Sequence, residues 1–265
     1  MISQMPTNPN ETQMVMGTPI IQPSINIDDC FTELANLSYV KICQKASCVE
    51  CLYPRCVPNR YDVVGPNDQN MYYFTEKSDC CERYCFHPYR SFEMKIVNVT
   101  SSENKKSVSM EGNKNCSIPY IFPFGCGKPV FSIDIKTPIG DRLGRVKLNY
   151  DNCCCYICSN HLDILDSSDN SKYIIRQNSC CCCLGSAYGI CTKCCSIDYN
   201  IIQDNQFVGK ITKDVCNGKI TLCTKADNYT ITFPLNASPQ DKMLLICGAI
   251  LIDYLSYYIG VCSYF

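Results

Sequence analysis

Apolar and polar positions alternate through most of this chain. In Ser91-Phe92-Glu93-Met94-Lys95-Ile96 the apolar residues are Phe92, Met94 and Ile96. Phe131, Ile133 and Ile135 alternate with Ser132, Asp134 and Lys136, and Tyr229, Ile231 and Phe233 alternate with Thr230 and Thr232. A period of two sends one face of a strand into a core and the other to solvent. Turn-forming residues separate the runs: Gly65-Pro66-Asn67, Thr137-Pro138-Ile139-Gly140, Asp204-Asn205 and Asn217-Gly218. The pattern predicts strand after strand from about Tyr39, with no helix-period segment before the C-terminal end. Many short strands at this spacing argue for a closed barrel or a sandwich. Residues 1–29, dotted with Pro6, Pro9, Pro19 and Pro23 and lacking periodicity, read as a polar tail. Residues 30–265 read as one domain.

The end of the chain changes character. Ser238-Pro239-Gln240-Asp241 offers a capping hydroxyl, a proline at the first helical position and an acid three residues after the cap. The apolar run that follows contains Met243, Leu244, Leu245, Ile246, Ile250, Leu251 and Ile252, so a helix is predicted over about 239–259. It is apolar on all sides and must be buried, in protein or in a bilayer. A span needs ~20 apolar residues, and Asp253 falls within this stretch. A carboxylate at mid-bilayer costs roughly 2.5–3.5 kcal/mol. A many-stranded barrel also needs its interior filled, so the reading favoured here is a core helix.

Composition narrows the function. At 265 residues with 46% hydrophobic positions the chain can bury a core, which excludes global disorder. Net charge is −1, so bulk charge draws it neither to nucleic acid nor to an anionic membrane. Apolar surface, a lipid anchor or an ion must supply any membrane affinity. The 25 cysteines stand out. The first residues have neither a basic segment nor an apolar run, so the compartment reads as cytosolic and the thiols as reduced. Sequons such as Asn98-Val99-Thr100 then read as accidental.

Three readings of the cysteines follow. Cys153, Cys154, Cys155 and Cys180, Cys181, Cys182, Cys183 are candidates for S-acylation, which would anchor a neutral surface. Cys48/Cys51, Cys155/Cys158 and Cys191/Cys194 have the C-x2-C spacing that lets two thiolates meet one zinc. The third reading treats buried thiols as small hydrophobes. His87 and His161 are the only histidines, and neither sits in a nucleophile–base pattern. No phosphate-cradling glycine loop occurs.

Several segments, in order, resemble phospholipid scramblases. Asn59-Arg60-Tyr61-Asp62-Val63 resembles the family's early "NRYEI" strand. Asp79-Cys80-Cys81-Glu82-Arg83-Tyr84-Cys85 with Arg90–Ile96 is similar to its "CC…C…RPF.M.I" stretch. Thr137-Pro138-Ile139-Gly140 with Gly144-Arg145-Val146 resembles "PPG..IG.V", and Phe207-Val208-Gly209-Lys210-Ile211-Thr212-Lys213 resembles "VGKISK". Ala226 to Leu235 is similar to "ADNFGIQFPLD". The resemblance spans roughly residues 34–258.

The resemblance implies a mainly β, Tubby-like closed antiparallel barrel of about twelve strands around a central hydrophobic C-terminal helix. It implies ATP-independent, calcium-stimulated movement of phospholipids between leaflets at the cytosolic face of a membrane, the plasma membrane in this reading. That is a translocation rather than a chemical reaction. The family's calcium segment maps to Lys225–Asn236. Acids usual at its ends are Lys225 and Asn236 here, leaving Asp227, with Asn228, Asn236 and backbone carbonyls, as the calcium-binding candidates. The plain alternative for this segment is an edge strand with a polar turn. The family's acylated cluster maps to Cys116 and Cys126. Lys210 and Lys213 lie in a segment tied to nuclear import in some relatives, but Asp214 follows and they read as solvent-facing strand residues.

One helix cannot build a polar path through hydrocarbon alone. Transport would therefore need a homo-oligomer, or a barrel that perturbs the bilayer. Two other readings stand beside the scramblase: a non-transporting, membrane-tethered lipid-binding or adaptor module, and a zinc-stabilised cysteine-rich interaction protein.

Overall fold

The computed structural model describes residues 31–45, 57–85, 92–99, 107–112, 132–137, 140–150, 160–178, 196–214 and 227–262. Within them lie twelve strands. They are β1 (Tyr39–Gln44), β2 (Arg60–Val64), β3 (Asn70–Lys77), β4 (Phe92–Asn98), β5 (Ser107–Gly112) and β6 (Ser132–Lys136). The second half supplies β7 (Arg142–Tyr150), β8 (Asn160–Asp166), β9 (Ser171–Gln177), β10 (Ile197–Gln203), β11 (Gln206–Asp214) and β12 (Asn228–Thr232). Each pairs antiparallel with its sequence neighbour, and β1 also pairs with β12, so the strand order returns to its start. The architecture is mainly β, with a single long helix at the C-terminal end, in agreement with the alternating pattern.

Local chemistry makes the turns. Gln203 faces Gln206 across the β10–β11 hairpin, and the two residues between them, Asp204 and Asn205, have φ of 50° and 61°. Two consecutive left-handed residues match the twist of the flanking strands, and Asp and Asn tolerate that conformation. Between β8 and β9, the Asp166 carboxylate accepts the backbone N–H groups of Ser168 and Asn170 at 2.8 and 2.9 Å.

Inward residues of the strands, including Ile42, Phe74, Ile96, Ile135, Ile164, Ile211 and Ile231, surround the helix α2 (Pro239–Cys262). Its start forms as expected: the Asp241 N–H donates to Ser238 Oγ at 3.1 Å, and the Ser238 N–H donates to Asp241 Oδ2 at 3.2 Å. Met243, Leu244, Leu245, Ile246, Ile250, Leu251 and Ile252 are all buried. Glycine lets the helix approach the wall. A Cβ on Gly144 would lie 2.5 Å from the Leu165 carbonyl and 2.8 Å from Leu244, and one on Gly248 would lie 2.7 Å from Ile175 Cδ1.

The helix is fastened at its entry by Lys242. Its ammonium donates to the carbonyls of Leu34, Ala35 and Leu37 at 2.9, 2.8 and 2.9 Å, tying it to the segment around the 3₁₀ turn Thr32–Leu34. Burial pulls the Lys242 pKa below its ordinary value, and the three acceptors keep a buried ammonium solvated by protein.

Three expectations are corrected. The short helix α1 (Cys80–Cys85) interrupts the strands, started by Asp79 Oδ1 accepting the Cys81 N–H at 2.7 Å. Helix α2 runs to Cys262 rather than to about 259. Strand β12 is no edge, since β1 and β11 flank it. Among the described residues no helix is long and apolar enough to cross a membrane, which says nothing of strands. The tail over residues 1–29, Phe131 and the Asn217-Gly218 turn lie outside the described residues.

Candidate functional site

The apolar interior ends in a polar network where α2 leaves the barrel. Asp253, one turn and a half past Gly248, is only 2% exposed. Tyr61 on β2 donates its hydroxyl to Asp253 Oδ2 at 2.7 Å, and Tyr229 on β12 donates to Oδ1 at 3.1 Å. These strands begin at this end of the barrel, which is why their first inward residues reach the carboxylate. The next helical residue, Tyr254, donates to Glu76 Oε2 at 2.7 Å. Glu76 also accepts the Asn59 N–H at 3.1 Å and the Ser78 hydroxyl at 2.5 Å. Arg83 of α1 closes the rim by donating to Ser78 Oγ at 3.0 Å and to the Ser78 carbonyl.

A second arm runs along β1, β11 and β12. Gln44 Nε2 donates to Asn59 Oδ1 at 3.2 Å while Gln44 Oε1 accepts the Asp227 N–H at 2.9 Å. The Asp227 carboxylate meets the Lys213 ammonium at 2.5 Å, and Lys213 also stands 5.9 Å from the Tyr229 ring centroid. Lys213 is 6% exposed, so the solvent-facing reading of this residue is wrong. It shares the inward parity of Ile211, with which it alternates around Thr212. Lys210 is outward, in an ion pair with Asp198 at 2.9 Å.

The electrostatics follow from burial. Loss of water and the nearby Asp227 carboxylate push the Asp253 pKa up to about 6, against the pull of the Tyr61 and Tyr229 hydroxyls and of Lys213. Burial, then the Asp253 charge, raises both tyrosines well above their ordinary value. Cys247, within the same helix, has its thiol raised by burial. The network thus places a group able to take up a proton near neutral pH on the helix that fills the barrel.

Against this geometry stands one decisive comparison: the scramblase family model matches residues 17–258, from ahead of β1 into α2. The chain belongs to the scramblase family. It is similar to phospholipid scramblase 2 of Bos taurus, 24% identical over 252 residues, covering 94% of this chain and 78% of that protein. Phospholipid scramblase 1 of Homo sapiens is 25% identical over 243 residues, with 89% and 68% covered. Phospholipid scramblase family member 5 of Homo sapiens is 20% identical over 256 residues, with 94% and 86% covered. No solved structure matches.

In this scramblase-family chain the calcium candidates do not converge. Asp227 lies beside Gln44, whereas Phe233 donates its N–H to the Ser38 carbonyl, six residues away along β1. At ~3.3 Å per residue that separates them by about 20 Å, and Asn236 lies further on, in the turn where the Ala237 N–H reaches the Pro234 carbonyl. Asn228 is next to Asp227 and exposed, but the Asp227 carboxylate is already engaged by Lys213. Calcium wants six to eight oxygens including uncommitted carboxylates, so these residues do not fit it as one site. The acylation and zinc candidates Cys116, Cys126, Cys153, Cys154, Cys155, Cys158, Cys180, Cys181, Cys182, Cys183, Cys191 and Cys194 lie outside the described residues, as do Cys48 and Cys51. Among the described residues no group of three or more His, Cys, Asp or Glu could hold a metal.

In the sequence Asp253 shows only as a charge in an apolar helix, and nothing local marks Tyr61, Glu76 or Lys213 as its surroundings. The available signal was that lone carboxylate: a buried charge demands donors, and inward tyrosines at strand starts can supply them.

Proposed function

We propose that this scramblase-family chain promotes ATP-independent movement of phospholipids between leaflets, as a Tubby-like barrel held at the cytosolic face of a membrane, the plasma membrane in this reading. The observation that carries it is the extent of the family match, which takes in the strands and most of the filling helix together. Relatives named phospholipid scramblases align over most of the chain, which supports membrane phospholipids as the partner. With α2 inside the barrel, a lipid path is sought on the barrel's outside or between copies in a homo-oligomer. Acyl chains on the cysteine clusters would supply the tether. Within the segment 225–236 the single carboxylate is Asp227, already paired with Lys213, so any calcium response through that segment is expected at high concentration.

The burial of α2 favours a second reading, a tethered lipid-binding module that moves no lipid. Liposomes reconstituted with the purified chain, a fluorescent phospholipid and an impermeant quencher, with and without calcium, separate the two. Faster loss of the protected signal than in empty liposomes supports transport. No acceleration by well-inserted protein refutes transport and leaves the lipid-binding module.

A further inference from the structure

Three apolar side chains line up across the outside of the barrel at the end where α2 enters, and a fourth, Leu235, lies in the turn at the same end. Phe207 faces Ile202 across the β10–β11 pair, and Ile202 faces Ile174 across β10–β9. Directly opposed residues share one face of a sheet. The flanking residues Tyr173, Ile175 and Ile201 point into the core, so Ile174, Ile202 and Phe207 point out. The register slips between Ile201 and Ile202, leaving Val208 without a partner and aiming Phe207 outward. Leu235 joins from the turn that follows β12. Lys210 pairs with Thr232, and a Cβ on Gly209 would lie 3.3 Å from Pro234, so the turn that carries Leu235 comes to the same end of the barrel as the hairpin that carries Phe207. Leu235 is 99% exposed and Phe207 63%.

Two large, strongly exposed apolar tips at one end, backed by half-buried Ile174 and Ile202, mark a contact surface rather than scattered single residues. Four side chains offer well under the ~800 Å² per partner that a stable protein interface buries. A bilayer sets no such threshold, because interfacial binding scales with the apolar area inserted at the headgroup–acyl boundary. The charges agree. One row behind the apolar tips stand Arg176 and Lys210, both facing Asn200 on β10. Lys172 stands ahead of Ile174. Asp198 and Asp241 are taken up by Lys210 and Lys172, while Asp204 stays exposed in the turn. Cations and acids nearly balance, so apolar contact rather than charge must supply the attraction, as the net charge of −1 also requires.

We infer that the rim formed by Phe207 and Leu235, backed by Ile202 and Ile174, is the surface by which this barrel enters the headgroup–acyl boundary of a phospholipid bilayer. This rests on the membrane reading above and specifies which face of the molecule meets the lipid.

The chain contains no tryptophan, so single replacements report without background. Full-length Phe207→Trp and Leu235→Trp, made without acylation, are mixed with phosphatidylcholine–phosphatidylserine vesicles. Tyr73→Trp, exposed on β3 away from β9–β11, is the control. Emission from positions 207 and 235 is expected to shift to the blue and be quenched by brominated acyl chains, in high salt as in low, while position 73 stays unquenched. The Phe207→Ser/Leu235→Ser protein should keep its melting temperature and partition at least tenfold more weakly.

The inference falls if vesicle-bound protein shows no quenching at 207 and 235, if position 73 is quenched equally, or if the serine variant partitions like wild type. A concentration-dependent blue shift without vesicles would assign the surface to a second copy and also overturn it. Quenching at 207 and 235 without lipid flipping would sustain this surface while refuting transport. Flipping at full rate by the serine variant would do the reverse.

Discussion

Asp253 is the residue on which the barrel's interior turns. Its carboxyl holds a proton more tightly folded than unfolded, because its pKa rises from an ordinary 3.8 to about 6. The stability this contributes is present below the unfolded value and lost as pH rises through about 6. The difference is on the order of 3 kcal/mol. Asp253→Asn keeps the shape and stays neutral, so its stability relative to wild type should improve by about that amount between pH 4 and pH 7. Urea unfolding of both proteins at several pH values checks this. A pH-independent difference would mean that Asp253 ionises freely inside the barrel. Nearby Tyr61, Tyr229, Lys213 and Asp227 are all retained in the comparison, so their contributions cancel to first order.

At the scale of elements, α2 is placed by its entry cap and by the glycines facing the wall. Gly248→Val would gain a few tenths of a kcal/mol in helix propensity. Its branched side chain would meet Ile175 at 2.7 Å or less and Ile164 at about 3.2 Å. Overpacking of that kind costs about 1–3 kcal/mol, so the net effect should be destabilising, seen as a lower melting temperature with unchanged far-ultraviolet circular dichroism. An unchanged or higher melting temperature would show that the wall yields to the helix. This helix was legible in the sequence because Ser238, Pro239 and Asp241 are local signals. The strands were legible through Met94/Ile96, Ile133/Ile135 and Tyr229/Ile231, whose alternation survives any tertiary context. The site was not. That Lys213 pairs with Asp227 depends on the β11–β12 register, and that Tyr61 meets Asp253 depends on how far the helix is inserted. The row from Ile174 to Phe207 likewise exists only after three strands are aligned. Cross-strand neighbours are long-range facts that alternation does not encode.

For the whole molecule the deciding matter is whether α2 stays in the barrel once the protein is on a membrane. Withdrawing it would expose the inward faces of strands such as β3, β4 and β12 around an empty lumen, and would strip Lys242 of its three carbonyls. It would also carry Asp253 away from Tyr61 and Tyr229 into hydrocarbon, at roughly 2.5–3.5 kcal/mol for the carboxylate alone. A bilayer returns only the apolar burial that the barrel already provides, so the helix is expected to remain inside. Photo-leucine in place of Leu245, fully buried here, tests this on membrane-bound protein. Illumination should yield cross-links to barrel strands of the same chain and no lipid adducts. Abundant lipid adducts would mean that the helix exchanges the barrel for the bilayer. Transport would then have to be rebuilt around a spanning α2 with Asp253 as its buried polar group.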